Sequence, residues 1–165
     1  MPFTPFHFGP HAFASLPLRR FIVVPVFLGA NLLIDVEPLL VMTFNLDYPG
    51  HGYCHTMLFG SLLGLLVATI GYALRHQLAR FMAKIYLADT PTFHKMAVSG
   101  VLGIWLHVLF DAPLYSDIRP FYPLQVNPLL EVLPPGAVYG ICGVCFVPAG
   151  LLYVYAVSGA KKART

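Results

Sequence analysis

Four long apolar stretches dominate this chain, and each approaches the roughly 20 residues that a helix needs to cross a bilayer. They cover residues 21–44, 57–74, 96–113 and 137–160. Only 10% of the residues are charged and 58% are hydrophobic, whereas soluble domains carry about 25% charged residues. The sequence therefore predicts an all-α integral membrane protein, with residues 1–165 forming a single membrane-embedded helical domain.

The segments outside these stretches complete the predicted fold. Residues 1–17 are rich in Pro, Phe and His and are short for a span, which indicates a half-helix or a re-entrant segment. In residues 75–95, basic side chains alternate with apolar ones, as in an amphipathic helix at a membrane surface. Residues 114–136 are Pro-rich and are expected to form a loop. We thus expect four long transmembrane helices, a short N-terminal helix and one interfacial helix.

The basic residues are distributed unequally about a four-span topology. Nine of them fall on one side of the membrane, namely Arg19, Arg20, Arg75, Arg80, Lys84, Lys95, Lys161, Lys162 and Arg164. Only Arg119 falls on the other side. Because Lys and Arg are retained in the cytoplasm, we predict that these nine residues and the C-terminus are cytoplasmic. Membrane sidedness explains the net charge of +3, so no nucleic-acid partner is expected.

The third apolar stretch contains a histidine and a carboxylate, His107 and Asp111. Residues four apart lie one turn apart on the same face of a helix. Such groups are costly inside a membrane unless they pair, bind a metal or face water. The two side chains could bond to each other or to a neighbouring helix, and both are also metal ligands.

If the N-terminal half-helix runs inward to Arg19, further residues of metal-ligating types fall on the same side of the membrane as His107 and Asp111. This is the side opposite the cytoplasm, which we call the outer side. The predicted ligands are His7, Asp35, His55, His107 and Asp111, with Glu37 and His51 as second-tier members. Imidazole and carboxylate ligands suit a divalent metal, with zinc favoured and iron or manganese as alternatives, bound as one or two ions. Such a centre serves hydrolysis, for which Glu37 or Asp117 could act as general base.

Four short motifs resemble an inner-membrane metal-dependent hydrolase family of bacteria that includes a LexA-regulated member. They are Thr4-Pro5-Phe6-His7, Leu33-Ile34-Asp35-Val36-Glu37-Pro38, His51-Gly52-Tyr53-Cys54-His55-Thr56 and His107-Val108-Leu109-Phe110-Asp111. Asn127-Pro128-Leu129 resembles the loop that follows in the family. The chain departs from the family's HRxxTHS motif, since Gly52 replaces the arginine and Cys54 the threonine.

The resemblance implies a multi-span protein of the bacterial inner membrane with a metal-dependent hydrolase activity. The outer location of the expected site suggests a membrane lipid as partner, and a lipid or a phosphoester as substrate. The alternative is a non-enzymatic protein, a small transporter or an assembly factor, in which the same residues form a structural polar network.

Cys142 and Cys145 have CxxC spacing, but because they lie within an apolar stretch we interpret them as small packing residues.

Overall fold

A computed structural model describes residues 4–162, and within that range all regular structure is helical. Residues 1–3, with which the predicted N-terminal segment starts, and Arg164 lie outside the described residues. Two short 3-10 turns occur at Thr4–His7 and Tyr53–His55. The α-helices are α1 (Phe8–Leu18), α2 (Val24–Leu33), α3 (Val36–Phe44), α4 (Met57–Ala73), α5 (Arg75–Lys84), α6 (Phe93–Asp111), α7 (Pro135–Val144) and α8 (Phe146–Lys162).

Three segments of the described chain are long and apolar enough to cross a membrane. They are Val24–Phe44, Phe93–Asp111 and Pro135–Lys162. Helices α4 and α5 meet this criterion only together, and they are bent by 80°. The count is therefore three, or four if the bent pair forms one span. The prediction of an all-helical protein with helices long and apolar enough to span a membrane is confirmed for the described residues, while the count of four long spans stays a prediction.

The predicted interfacial segment, residues 75–95, is helical in two separate pieces. Its first part forms α5, which ends at Lys84, and the first residues of α6 begin at Phe93. Tyr86 lies between them with a positive φ of 61°, a backbone conformation that no helix interior adopts. Within residues 75–95, the predicted amphipathic helix is therefore limited to α5, and a turn follows it before α6 begins.

Helix α6 lies against both α2 and α4, and small residues make these contacts close. A Cβ atom added to Gly100 would overlap the backbone carbonyl of Gly64 on α4. A Cβ atom added to Gly103 would lie 2.5 Å from the carbonyl oxygen of Phe27 on α2. Small residues allow such close backbone approach between membrane helices. The middle of α6 is thereby held against both α2 and α4.

The first apolar stretch is broken near its middle. Helix α2 ends at Leu33 and α3 begins at Val36, so Asp35 lies at the break. Pro38 falls in the first turn of α3, where a missing backbone N–H costs no intrahelical hydrogen bond. The Asp35 carboxylate at this break faces α6, where its Oδ1 atom lies 3.3 Å from Nε2 of His107.

Candidate metal centre

Four side chains converge at the C-terminal end of α6. Asp35, His55, His107 and Asp111 each offer one ligand atom, and these atoms all lie within 4.8 Å of one another. The Nε2 atom of His107 lies 3.0 Å from Oδ2 of Asp111 and 3.3 Å from Oδ1 of Asp35. The Nε2 atom of His55 lies 3.9 Å from the same Asp35 oxygen. These four residues, which we call the metal cluster, could hold a metal ion.

The metal cluster draws on three separate parts of the chain. His107 and Asp111 are one turn apart on α6, as their spacing predicts. Asp35 comes from the break between α2 and α3, and His55 ends the 3-10 turn that leads into α4. Both histidines and Asp111 are at most 1% exposed, and Asp35 is 17% exposed. Burial of this kind favours a fixed geometry, because water does not compete for the ligand atoms.

Neighbouring side chains orient both histidines of the cluster. Nδ1 of His107 lies 3.0 Å from the amide oxygen of Asn31, so Nδ1–H donates to it and Nε2 points into the cluster. Nδ1 of His55 likewise donates to Oε2 of Glu37, at 3.0 Å. Metal-bound histidines commonly donate their second ring N–H to a carboxylate or carbonyl in this way. Both Nε2 atoms therefore face the carboxylates of the cluster, although only that of His55 lacks a hydrogen bond there.

Buried polar atoms at the cluster that form no hydrogen bond include Nε2 of His55 and, as a pair 3.3 Å apart, Nε2 of His7 and Oδ1 of Asp111. A buried polar atom without a partner costs about 1–3 kcal/mol, so such atoms are uncommon in native structures. Burial also lowers the pKa of His55, although its hydrogen bond to Glu37 opposes this effect. The neutral imidazole is the form that binds a metal. The residues present thus fit a divalent cation.

His7, the fifth predicted ligand, lies beside the metal cluster. Its Nε2 atom is 3.3 Å from Oδ1 of Asp111, and its Nδ1 atom is 3.3 Å from Nδ1 of His107. Its side chain is 1% exposed. The N-terminal turn therefore closes one side of the cluster, and His7 is close enough to contribute to it through Asp111.

Glu37, predicted as the catalytic base, is engaged in hydrogen bonds that hold the loop between α3 and α4, residues 45–56, which we call the outer loop after its predicted side of the membrane. Besides His55, its carboxylate accepts the backbone N–H groups of Gly52 at 3.1 Å and Cys54 at 3.2 Å. Two backbone donors and one imidazole donor leave this carboxylate occupied. Through the hydrogen bond to Nδ1, Glu37 positions His55, while its role as general base stays a prediction.

His51 and Asp117 form a second histidine–carboxylate pair next to the cluster. Nδ1 of His51 is 3.1 Å from Oδ1 of Asp117, and the backbone N–H of His51 donates to Oδ2 at 2.9 Å. Burial raises the pKa of Asp117, but these contacts with His51 outweigh it and the net pKa is lowered. The His51 ring packs edge-on against the His55 ring, with centroids 4.8 Å apart. The pair thus connects the cluster to the outer loop.

Two residues at this site were missed by the sequence-based prediction. Asn31 lies on α2. The sequence signal that could have identified it is the presence of a polar amide side chain within an apolar stretch. His11 is fully buried, and its two ring nitrogens lie 2.7 Å from the carbonyl oxygen of His7 and 2.9 Å from that of Gly103. His11 therefore links the N-terminal turn to α6 and supports the position of His7.

Comparison with the models of known protein families, with curated proteins and with solved structures gives no match. The functional argument therefore depends on the geometry of the site.

Proposed function

We propose that this protein is a membrane-bound metal-dependent hydrolase with its active site at the outer membrane interface. The observation that carries the proposal is the metal cluster itself, in which two oriented imidazoles and two carboxylates converge in a buried site. The Nε2 atoms of His55 and His7 lie 3.9 Å and 3.3 Å from carboxylate oxygens of Asp35 and Asp111, yet neither forms a hydrogen bond. A divalent cation would give these atoms a common partner.

Zinc is the proposed metal, with iron or manganese as alternatives, because imidazole nitrogen and carboxylate oxygen are ligands that all three accept. The Asp35, His55, His107 and Asp111 side chains would hold the first ion. His7 stands next to Asp111 and would complete the coordination or take part in a second ion's site. When bound, such a metal supplies a Lewis acid and lowers the pKa of a coordinated water to about 7.

The roles of the surrounding residues follow from their contacts. Asn31 and Glu37 hold the two imidazoles of the cluster in the orientation that a metal needs. The His51–Asp117 pair lies on the side of His55 that faces the outer loop, where a substrate would approach. Asp117, rather than Glu37, is the carboxylate that remains partly exposed there, at 37%.

The proposed topology has four spans, with α4 as the second span, α5 as an interfacial helix on the cytoplasmic side and the C-terminus in the cytoplasm. This arrangement places the metal cluster towards the outer face of a bacterial inner membrane. The motif resemblance to the inner-membrane hydrolase family supports this proposal and contributes its reaction class. The location beside the membrane favours a lipid or phosphoester substrate.

Elemental analysis of detergent-purified protein tests the proposal. Wild type should contain about one or two equivalents of zinc, iron or manganese, and His107→Ala and Asp111→Ala should lose it. His94→Ala is the matched control, because His94 lies at the opposite end of α6. Absence of metal from folded wild type after metal is added back would contradict the proposal.

One observation favours the non-enzymatic alternative. Both nitrogens of His107 lie 3.0 Å from an oxygen acceptor, on Asn31 and Asp111, which a protonated imidazole could satisfy without metal. In that case the cluster is a polar network that joins helices in a small transporter or an assembly factor. Asp111→Asn would then keep the fold, and neither wild type nor the variant would bind metal.

A further inference from the structure

We propose that the outer end of the protein binds one lipid, with its phosphate in a polar cleft and its hydrocarbon chain in an adjoining apolar groove. The inference rests on the proposed function, because this lipid would be the substrate of the metal centre. It deepens that function by assigning two binding subsites to residues outside the metal cluster.

The polar cleft has a volume of about 320 Å³ and opens beside the outer loop. Its walls include His51 and Asp117, which connect to the metal cluster, and also Arg119, Gln125 and Tyr122. Guanidinium, amide and phenol groups together provide several donors for an oxyanion. The cleft is thus suited to a compact anionic group rather than to a hydrocarbon chain.

Arg119 gives the cleft its selectivity for phosphate. One of its terminal nitrogens, Nη1, donates to the backbone carbonyls of Ser116 and Ile118, so the guanidinium is held in place. The neighbouring Asp117 carboxylate accepts two hydrogen bonds from His51, which limits its repulsion of an anion. Arginine matches the geometry of phosphate oxygens with paired donors.

The apolar groove has a volume of about 470 Å³ and lies between α3 and α4. Leu40 and Val41 line it from α3, and Leu63 and Leu66 line it from α4. Both helices belong to segments that are apolar enough to lie within a membrane. A hydrocarbon chain is therefore the occupant whose chemistry fits the groove and whose source is adjacent to it.

Tyr48 lines both cavities, so they lie on either side of one side chain. On the cleft side, His51 packs against His55 of the metal cluster. On the groove side, Glu37 lines the wall and accepts the Nδ1–H of the same histidine. An amphiphile that extends from the cleft into the groove would therefore pass beside His55.

The test measures binding of dihexanoyl phosphatidic acid to the full-length protein in maltoside micelles by titration calorimetry. Inorganic phosphate and dihexanoylglycerol serve as separate probes for the two halves of the lipid. Arg119→Gln removes the charge of the cleft, and Arg80→Gln is its matched control on α5. Leu40→Trp fills the groove, and Leu39→Trp is its matched control, because Leu39 is 58% exposed on the same helix.

We expect wild type to bind the phosphatidic acid at least ten times more tightly than either probe. Arg119→Gln should weaken that binding about tenfold or more, as expected for loss of a charge-assisted hydrogen bond. Leu40→Trp should reduce affinity for the lipid but not for inorganic phosphate, and both controls should match wild type.

Equal binding by Arg119→Gln and Arg80→Gln would overturn the phosphate subsite. Equal affinity for the lipid and for inorganic phosphate would overturn the groove and identify a site for free phosphate. Metal content is measured on the same samples, and we expect Arg119→Gln and Leu40→Trp to retain it. Lipid binding can therefore fail while metal is retained, which separates this inference from the proposed hydrolase function.

Discussion

The contact between Glu37 and His55 gives the most decisive prediction about the site. Glu37 accepts Nδ1–H of His55 at 3.0 Å and also two backbone N–H groups of the outer loop, so Glu37→Ala leaves His55 without its orienting partner. Removing such a partner typically costs 10–100-fold in metal affinity. That range corresponds to about 1.4–2.7 kcal/mol of binding free energy. We expect Glu37→Ala to lose metal affinity within this range.

Glu37→Gln refines the same prediction. A glutamine can keep an oxygen facing Nδ1–H of His55, but the hydrogen bond is then neutral instead of charge-assisted. Replacing the charge-assisted hydrogen bond by a neutral one should cost about 1 kcal/mol of binding free energy, or about fivefold in metal affinity relative to wild type. Zinc affinity is measured in detergent by competition with a chromophoric chelator. Asp47→Ala is the control, because Asp47 is an exposed carboxylate of the outer loop.

An unchanged zinc affinity in Glu37→Ala would refute the argument that this carboxylate orients His55. Glu37 would then be free to act as the general base predicted from the sequence. A loss of affinity in Asp47→Ala equal to that in Glu37→Ala would show a general effect of negative charge in the outer loop.

Three further changes test the packing and the support of the site. Asn31→Leu removes the acceptor of His107 Nδ1–H and should weaken zinc binding about 10–100-fold in the same competition assay. Gly100→Ala should destabilise the protein by about 1–3 kcal/mol through overlap with α4, seen as a lower thermal midpoint, whereas Gly140→Ala meets no atom within 4 Å and should not. The double variant Cys142→Ser/Cys145→Ser should keep the full metal content in elemental analysis, because neither cysteine belongs to the metal cluster.

Much of the candidate site could be predicted because ionisable side chains are rare in an apolar chain. His107 and Asp111 share a helix face by their spacing alone, and the structure places both in the metal cluster. Asp35 and His55 were assigned to the same end of the protein from the order of the apolar stretches. The half-helix predicted for the N-terminal segment places His7 at the same end as these residues. In the structure, Nε2 of His7 lies 3.3 Å from Oδ1 of Asp111.

The roles of supporting residues could not be predicted in the same way. Glu37 and His51 were visible as polar residues, but a sequence does not show which atoms a carboxylate accepts from. Only the folded outer loop brings the Gly52 and Cys54 N–H groups to Glu37, and only that fold pairs His51 with Asp117. Asn31 is uncharged, and its contact with His107 depends on how closely α2 approaches α6.

The sequence by itself determined the helical class, the apolar segments and the identity of the ionisable residues available for a site. These properties follow from side-chain chemistry and from the cost of unpaired backbone groups in a membrane. Tertiary structure alone decided which carboxylate meets which imidazole. The break at Asp35 and the close α4–α6 contact at Gly64 and Gly100 fix those distances, because they set how the helices approach one another.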